Sequence, residues 1–191
     1  MKAAKQPDKR TRFIDAAVAL AYRQGFRKTT LADIAEEAGV PLGNVYYYYK
    51  TKEEIGDAIL ALRLTQFEKM RAHADRLPSP RERLEMFIRI TLDNRDNVAR
   101  SGCPMGSLCA ELLKEGGALA DRSNALFAKP MQWIEDQFVQ LGQGDKSAAL
   151  ALHFLSALQG VSLLAQSFRD PQLVEIEARH LTAWLDGLAG T

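Results

Sequence analysis

Residues 41–52, Pro-Leu-Gly-Asn-Val-Tyr-Tyr-Tyr-Tyr-Lys-Thr-Lys, gather side chains that can read or hold a nucleic acid. Asn44 carries an amide that can bond in bidentate fashion to an adenine edge. Tyr46, Tyr47 and Tyr48 offer hydroxyls to phosphates or base edges. Leu42 has no hydrogen-bonding group, so its one base contact is apolar, against a thymine methyl. Gly43 inside a helix costs about 1 kcal/mol against Ala; close approach of the helix backbone to a partner is a reason to keep it. Lys52 sits where a helix starts, and its ammonium together with the free N–H groups there suits a phosphate. Lys28 and Lys50 are weaker candidates. A second chemistry is open at Cys103, in a Gly-Cys-Pro-Met-Gly-Ser-Leu turn just ahead of a helix. A helix N-terminus favours the thiolate, which is the nucleophile. The plainer reading of the same residue is an unreactive cysteine at a helix start, and Cys109, on the apolar side of that helix, reads as core.

The elements that position these groups follow from caps and periodicity. Thr30 is an N-cap, and Leu31, Ile34, Ala35 and Ala38 mark one buried face. Gly39 ends that helix, because it tolerates positive φ. Pro41 can open the next, where no intrahelical N–H bond is lost. This second helix is too short to be stable alone. Neighbours must hold it, as they hold the second helix of a helix-turn-helix in the major groove of DNA. Thr51, with Glu54 three residues on, reads as the capping box of a fourth helix running to about Arg76. Lys2, Lys5, Lys9, Arg10 and Arg12 read either as a solvated tail or as an arm on the DNA backbone or minor groove.

The stretch closely resembles the DNA-binding signature of the TetR family of transcriptional regulators. The matching residues are Gly25-Phe26, Thr29-Thr30, Asp33-Ile34-Ala35, Ala38-Gly39-Val40, Gly43, Val45-Tyr46, Tyr48-Tyr49 and Lys52-Glu53. The resemblance implies an all-α homodimer. Residues 1–52 would be a DNA-binding domain and 53–191 a ligand-binding and dimerisation domain, with helix 53–76 as connector. It also implies Thr30 and Lys52 as phosphate contacts and Tyr49 as a core aromatic. Pro41 and Leu42 depart from the family's usual Ser and polar residue. The implied activity is repression from a palindromic operator of double-stranded DNA, relieved by a small hydrophobic ligand or an electrophile. The family's effector pocket lies after residue 80, which makes Phe87, Met105, Trp133, Phe138, His153 and Phe154 candidates. Aromatics at helical spacing also read as plain core. The segment from Gly102-Cys103 to Glu111-Leu112 resembles that of members sensing electrophiles or quinones, which implies release of DNA on modification of Cys103. The last two helices would pair with those of the dimer mate. The alternatives are a constitutive DNA-binding regulator without effector and a thiol-dependent enzyme.

The whole chain narrows these readings. Its 191 residues are 47% hydrophobic, enough for a sizeable core. Residues 1–52 hold ten Lys/Arg and five Asp/Glu, a net +5, whereas 53–191 carry a net −4. A basic end on an acidic body suits phosphate binding by that end. No uninterrupted apolar run approaches 18 residues, so no membrane partner is expected. The charged start MKAAKQPDKR lacks a signal-like apolar stretch, and two cysteines make no disulfide framework. These features point to the cytoplasm. Three histidines, His73, His153 and His180, fall in no catalytic spacing, and neither a phosphate-binding glycine loop nor a metal-ligand cluster stands out. No cofactor and no metal are expected. The expected fold is about nine helices and no strand, with one helix over 80–98, a break at Pro130 within 118–141, and the most apolar helix over 146–168.

Overall fold

The computed structural model describes residues 8–188. The helices are α1 (Lys9–Gln24), α2 (Leu31–Ala38), α3 (Leu42–Tyr48), α4 (Lys52–Ala74), α5 (Pro80–Asp93), α6 (Arg95–Ser101), α7 (Pro104–Glu115), α8 (Gly117–Ser123), α9 (Ala125–Gln140), α10 (Ser147–Phe168) and α11 (Gln172–Leu188). A 3-10 turn at Gly144–Lys146 precedes α10, and no strand occurs among the described residues. Lys2 and Lys5 of the expected arm lie outside the described residues.

The helix ends follow local chemistry. The Asp8 carboxylate accepts the Thr11 N–H at 2.7 Å, which starts α1 and holds that carboxyl below its ordinary pKa. Thr30 and Asp33 form a reciprocal capping box on α2, and Gly39 closes it in the left-handed region at φ 61°. Pro41 precedes α3 instead of opening it. Its ψ of 139° is extended while its carbonyl already accepts the Asn44 N–H at 2.9 Å, the two marks of a cap. Thr51 caps α4 by accepting the Glu54 N–H at 3.1 Å. The return arm of the expected box goes one residue further back, to the Lys50 N–H at 2.8 Å.

Two compact units divide the chain. The first contains the chain through Arg63 together with Ser107–Ser123, so it extends beyond the division expected at residue 52. The reason is packing. The first turns of α4 bury Ile55 and Ile59, and α7 and α8 bury Leu108, Leu112, Leu119 and Ala120. Gly56 sits so tightly here that a Cβ would lie 2.4 Å from Leu119 Cδ2 and 3.1 Å from Phe26 Cζ. Arg122 pairs with Asp57 at 2.7 Å and with Glu53 at 3.2 Å.

The second unit contains Leu64–Gly106 and the chain from Asn124. Its core is built around Leu84, Phe87, Trp133, Ile134, Phe138 and Phe154. The helix expected over 80–98 is two helices. Asn94 leaves helical geometry at φ −96° and ψ 10°, and its side chain bonds to Asn97 at 2.7 Å. α6 can then turn Val98 into a second cluster with Val161, Ala165 and Val174. The break expected at Pro130 falls at Asn124, and Pro130 lies inside α9. A proline ring disturbs the turn on its N-terminal side. Because α9 starts only five residues earlier, little helix is left there to disrupt.

α10 is more apolar on average than its longest uninterrupted apolar run suggests. By length and composition it is apolar enough to cross a membrane. Counting uninterrupted apolar residues hid this, because isolated Ser, His and Gln break the run without lowering its average much. In the structure one side of it is core, with Ala151, Phe154, Leu155, Leu158, Val161 and Ala165 buried, while Leu152, Leu163, Leu164 and Phe168 are exposed.

Candidate nucleic-acid interface

α3 is held from behind and open in front. Val45 is fully buried, and Tyr49 stacks on Phe13 with ring centres 5.5 Å apart. The Tyr49 hydroxyl accepts from Arg10 Nε at 3.2 Å, so Tyr49 is a core aromatic. The other face carries Leu42 and Tyr46 one turn apart, then Gly43 and Tyr47 beside them. Tyr46 is 53% exposed and Tyr47 82%. Tyr48 meets Tyr47 edge to face at 5.1 Å. Asn44 is half-buried. A Cβ on Gly43 would meet nothing within 4 Å, so packing within the chain does not require a glycine there.

The surrounding cations are largely committed to positioning this unit. Arg12 donates to the Ala38 carbonyl at 3.2 Å and the Gly39 carbonyl at 2.9 Å. A guanidinium on the carbonyl end of α2 satisfies acceptors that the helix leaves open. Lys52 Nζ donates to the Arg27 carbonyl at 2.6 Å and lies 5.0 Å from the centre of the Phe26 ring. Two of its three donors remain for a phosphate. Glu111 accepts the Arg27 N–H at 3.0 Å and fills the space where a Cβ on Gly25 would project. Arg12 was expected only as arm or tail, and Glu111 only as part of the segment that resembles electrophile-sensing members. Sequence gives no signal for a contact 84 positions away.

Thr30 is exposed at the start of α2, but its hydroxyl already accepts the Asp33 N–H at 3.1 Å. Thr30→Ala should therefore lower stability by about 1 kcal/mol, read from the denaturant midpoint at neutral pH. The Thr30 N–H holds the Asp33 carboxyl below its ordinary pKa. The contribution of Asp33 is thus present above the ordinary carboxylate range and is lost as pH falls through its lowered value. An unchanged midpoint in Thr30→Ala would show that the box contributes nothing.

The effector candidates fall into three groups. Phe87, Trp133, Phe138 and Phe154 form one aromatic cluster with centres 5.9–6.3 Å apart. The Trp133 indole N–H donates to Asp75 at 3.1 Å. His153 is exposed and rests against Trp184 at 4.8 Å. Met105 and Cys103 are half-buried at the start of α7, where Cys103 Sγ accepts the Gly106 N–H at 3.4 Å. Cys109 is buried and donates to the Ser123 carbonyl. An open hollow of about 630 Å³ in the second unit is lined by Glu85, Arg89, Asp93, Arg95, Glu175 and Arg179 among others, and by none of the effector candidates. Among the described residues no group of three or more His, Cys, Asp or Glu could hold a metal.

A short second helix carried on a capped first one, with hydroxyl and methyl groups exposed and an amide half-buried, defines a helix-turn-helix DNA-binding protein. Residues 13–59 match the family described as bacterial regulatory proteins, tetR family. The chain is 30% identical over 189 residues to the probable HTH-type transcriptional regulator ArpR of Pseudomonas putida, covering 95% of this chain and 78% of that protein. The chain belongs to the TetR family of transcriptional regulators. Its fold is that of a TetR regulator from Legionella pneumophila, with a TM-score of 0.84, 19% identity and coverage of 96% and 98% of the two chains. FadR from Bacillus subtilis, solved with stearoyl-CoA, also shares the fold, with a TM-score of 0.73, 19% identity and coverage of 92% and 97%.

Proposed function

We propose that the protein is a homodimeric repressor working in the cytoplasm. It binds a palindromic operator and leaves it when a small hydrophobic ligand or an electrophile engages the second unit. The observation that carries the DNA half is α3, with Leu42, Tyr46 and Tyr47 exposed while Val45 and Tyr49 anchor it. Asn44, Tyr46, Tyr47 and Tyr48 would contact base edges or phosphates, and Thr30 and Lys52 phosphates. The dimer reading draws on α10, which leaves Leu152, Leu163, Leu164 and Phe168 exposed beside an open Gly160. A second copy would cover such a face. Two dimer-related α3 helices would then enter successive major grooves about one helical turn apart.

The effector half draws on FadR, whose solved structure holds stearoyl-CoA, and on the placement of Cys103 at the start of α7. A ligand that releases DNA must bind the DNA-free form more tightly, and by linkage DNA must weaken its binding. The close-packed aromatic cluster favours a second reading, a DNA-binding regulator without effector.

The test is a gel shift with DNA flanking the protein's own gene, with and without lipophilic ligands and electrophiles. Retarded DNA released by one compound supports the sensor. Release by electrophiles from wild type but not from Cys103→Ala assigns the thiol; full release from Cys103→Ala removes it. Retention under every compound favours the reading without effector.

A further inference from the structure

The helix-turn-helix lacks the side chains that most often read guanine. From Thr29 to Tyr49 there is no Lys or Arg, while Asp33, Glu36 and Glu37 give the segment a net charge of −3. Arg and Lys bonded to guanine O6 and N7 make the commonest specific contacts in the major groove. Here the cations stand at the flanks. Lys52 is bonded to the Arg27 carbonyl and Arg12 to the end of α2, while Lys28 and Lys50 bracket the segment. Such positions serve phosphates, which fix register and carry no sequence information.

The open face of α3 offers a different chemistry. Leu42 is 41% exposed, and its side chain has only methyl and methylene groups to present. Asn44 has an amide that complements adenine N6 and N7. Gly43 lies between them in sequence, and beyond its chain neighbours and its own helix backbone nothing lies within 4 Å of its Cβ position. Resting on the proposed DNA-binding function, we infer that α3 reads A·T pairs. Leu42 packs against the C5-methyl of a thymine, and Asn44 bonds an adenine, so each half-site has an A·T core under this helix.

The experiment starts from the full chain and a pool of random-sequence duplexes, from which bound sequences are selected and compared. Each thymine of the best duplex is then replaced, one at a time, by deoxyuridine, which removes only the methyl group. The expected result is an A·T core in each half-site and at least one thymine per half-site whose methyl is worth about fourfold in affinity, the value of one buried methyl group. Leu42→Ala, a change at an exposed position, should abolish that difference between thymine and uracil. Enriched half-sites with a G·C core, or a methyl effect that is absent or survives Leu42→Ala, would overturn the inference and leave the DNA-binding function standing. No enriched sequence at all would overturn both.

Discussion

Gly43→Ala should give a protein that is more stable and binds its operator less tightly. The stability gain follows from the chain alone. Gly43 lies in α3, has no left-handed φ, and has open space where a Cβ would go. Alanine therefore fits the folded state without strain and loses less conformational freedom on folding, a gain of up to about 1 kcal/mol. The loss of binding follows from what the glycine is left to do. Gly25 and Gly56 have reasons inside the protein: a φ of 91° against Glu111, and a close approach by Leu119 and Phe26. Gly43 has none, so its reason lies in a partner. A methyl group at this position would hold the helix away from the groove floor and loosen the contacts of Asn44 and Leu42 together. The expected loss is tenfold or more, about 1.4 kcal/mol. Thermal melts and operator affinity at one fixed salt concentration check both signs, since salt alone moves DNA affinity strongly. A more stable protein with unchanged affinity would mean that Gly43 does not face DNA.

What could be read before the structure was what neighbouring residues decide. Thr30, Gly39 and Thr51 cap or end their helices as hydroxyls and glycine do anywhere, and Tyr49 is buried as the family resemblance implies. What could not be read depends on distant partners. Glu111 reaches Arg27, and Arg122 reaches Asp57, across 84 and 65 positions. No local pattern marks either pair, so the contribution of Ser107–Ser123 to the first unit stayed hidden. Arg12 read as one more charge in a basic tail because its acceptors are carbonyls, which have no sequence signature. The break at Asn124 instead of Pro130 shows the limit of a strong local signal. A proline states that a helix is disturbed ahead of it, while the surrounding packing decides where the next helix begins.

Phe154→Ala should be among the most damaging single changes in the second unit, and it tests whether the aromatic cluster is core or chamber. Phe154 is fully enclosed, with Phe87 at 6.2 Å and Phe138 at 6.3 Å, both edge to face. Removing a buried phenyl from close-packed surroundings costs about 3–5 kcal/mol, because the cavity closes only in part. Edge-to-face pairs of this kind add about 0.5–1.5 kcal/mol beyond burial. His153, its exposed neighbour in sequence, gives the control: His153→Ala should stay within about 0.5 kcal/mol. Denaturant midpoints of the two variants, compared at equal m-values, provide the measurement. A loss from Phe154→Ala below about 1 kcal/mol would mean that the ring borders space in solution. That outcome would give the proposed effector a chamber among Phe87, Trp133, Phe138 and Phe154. The larger loss would confine these four to the core and turn the search for an effector to Met105 and Cys103, at the half-buried start of α7.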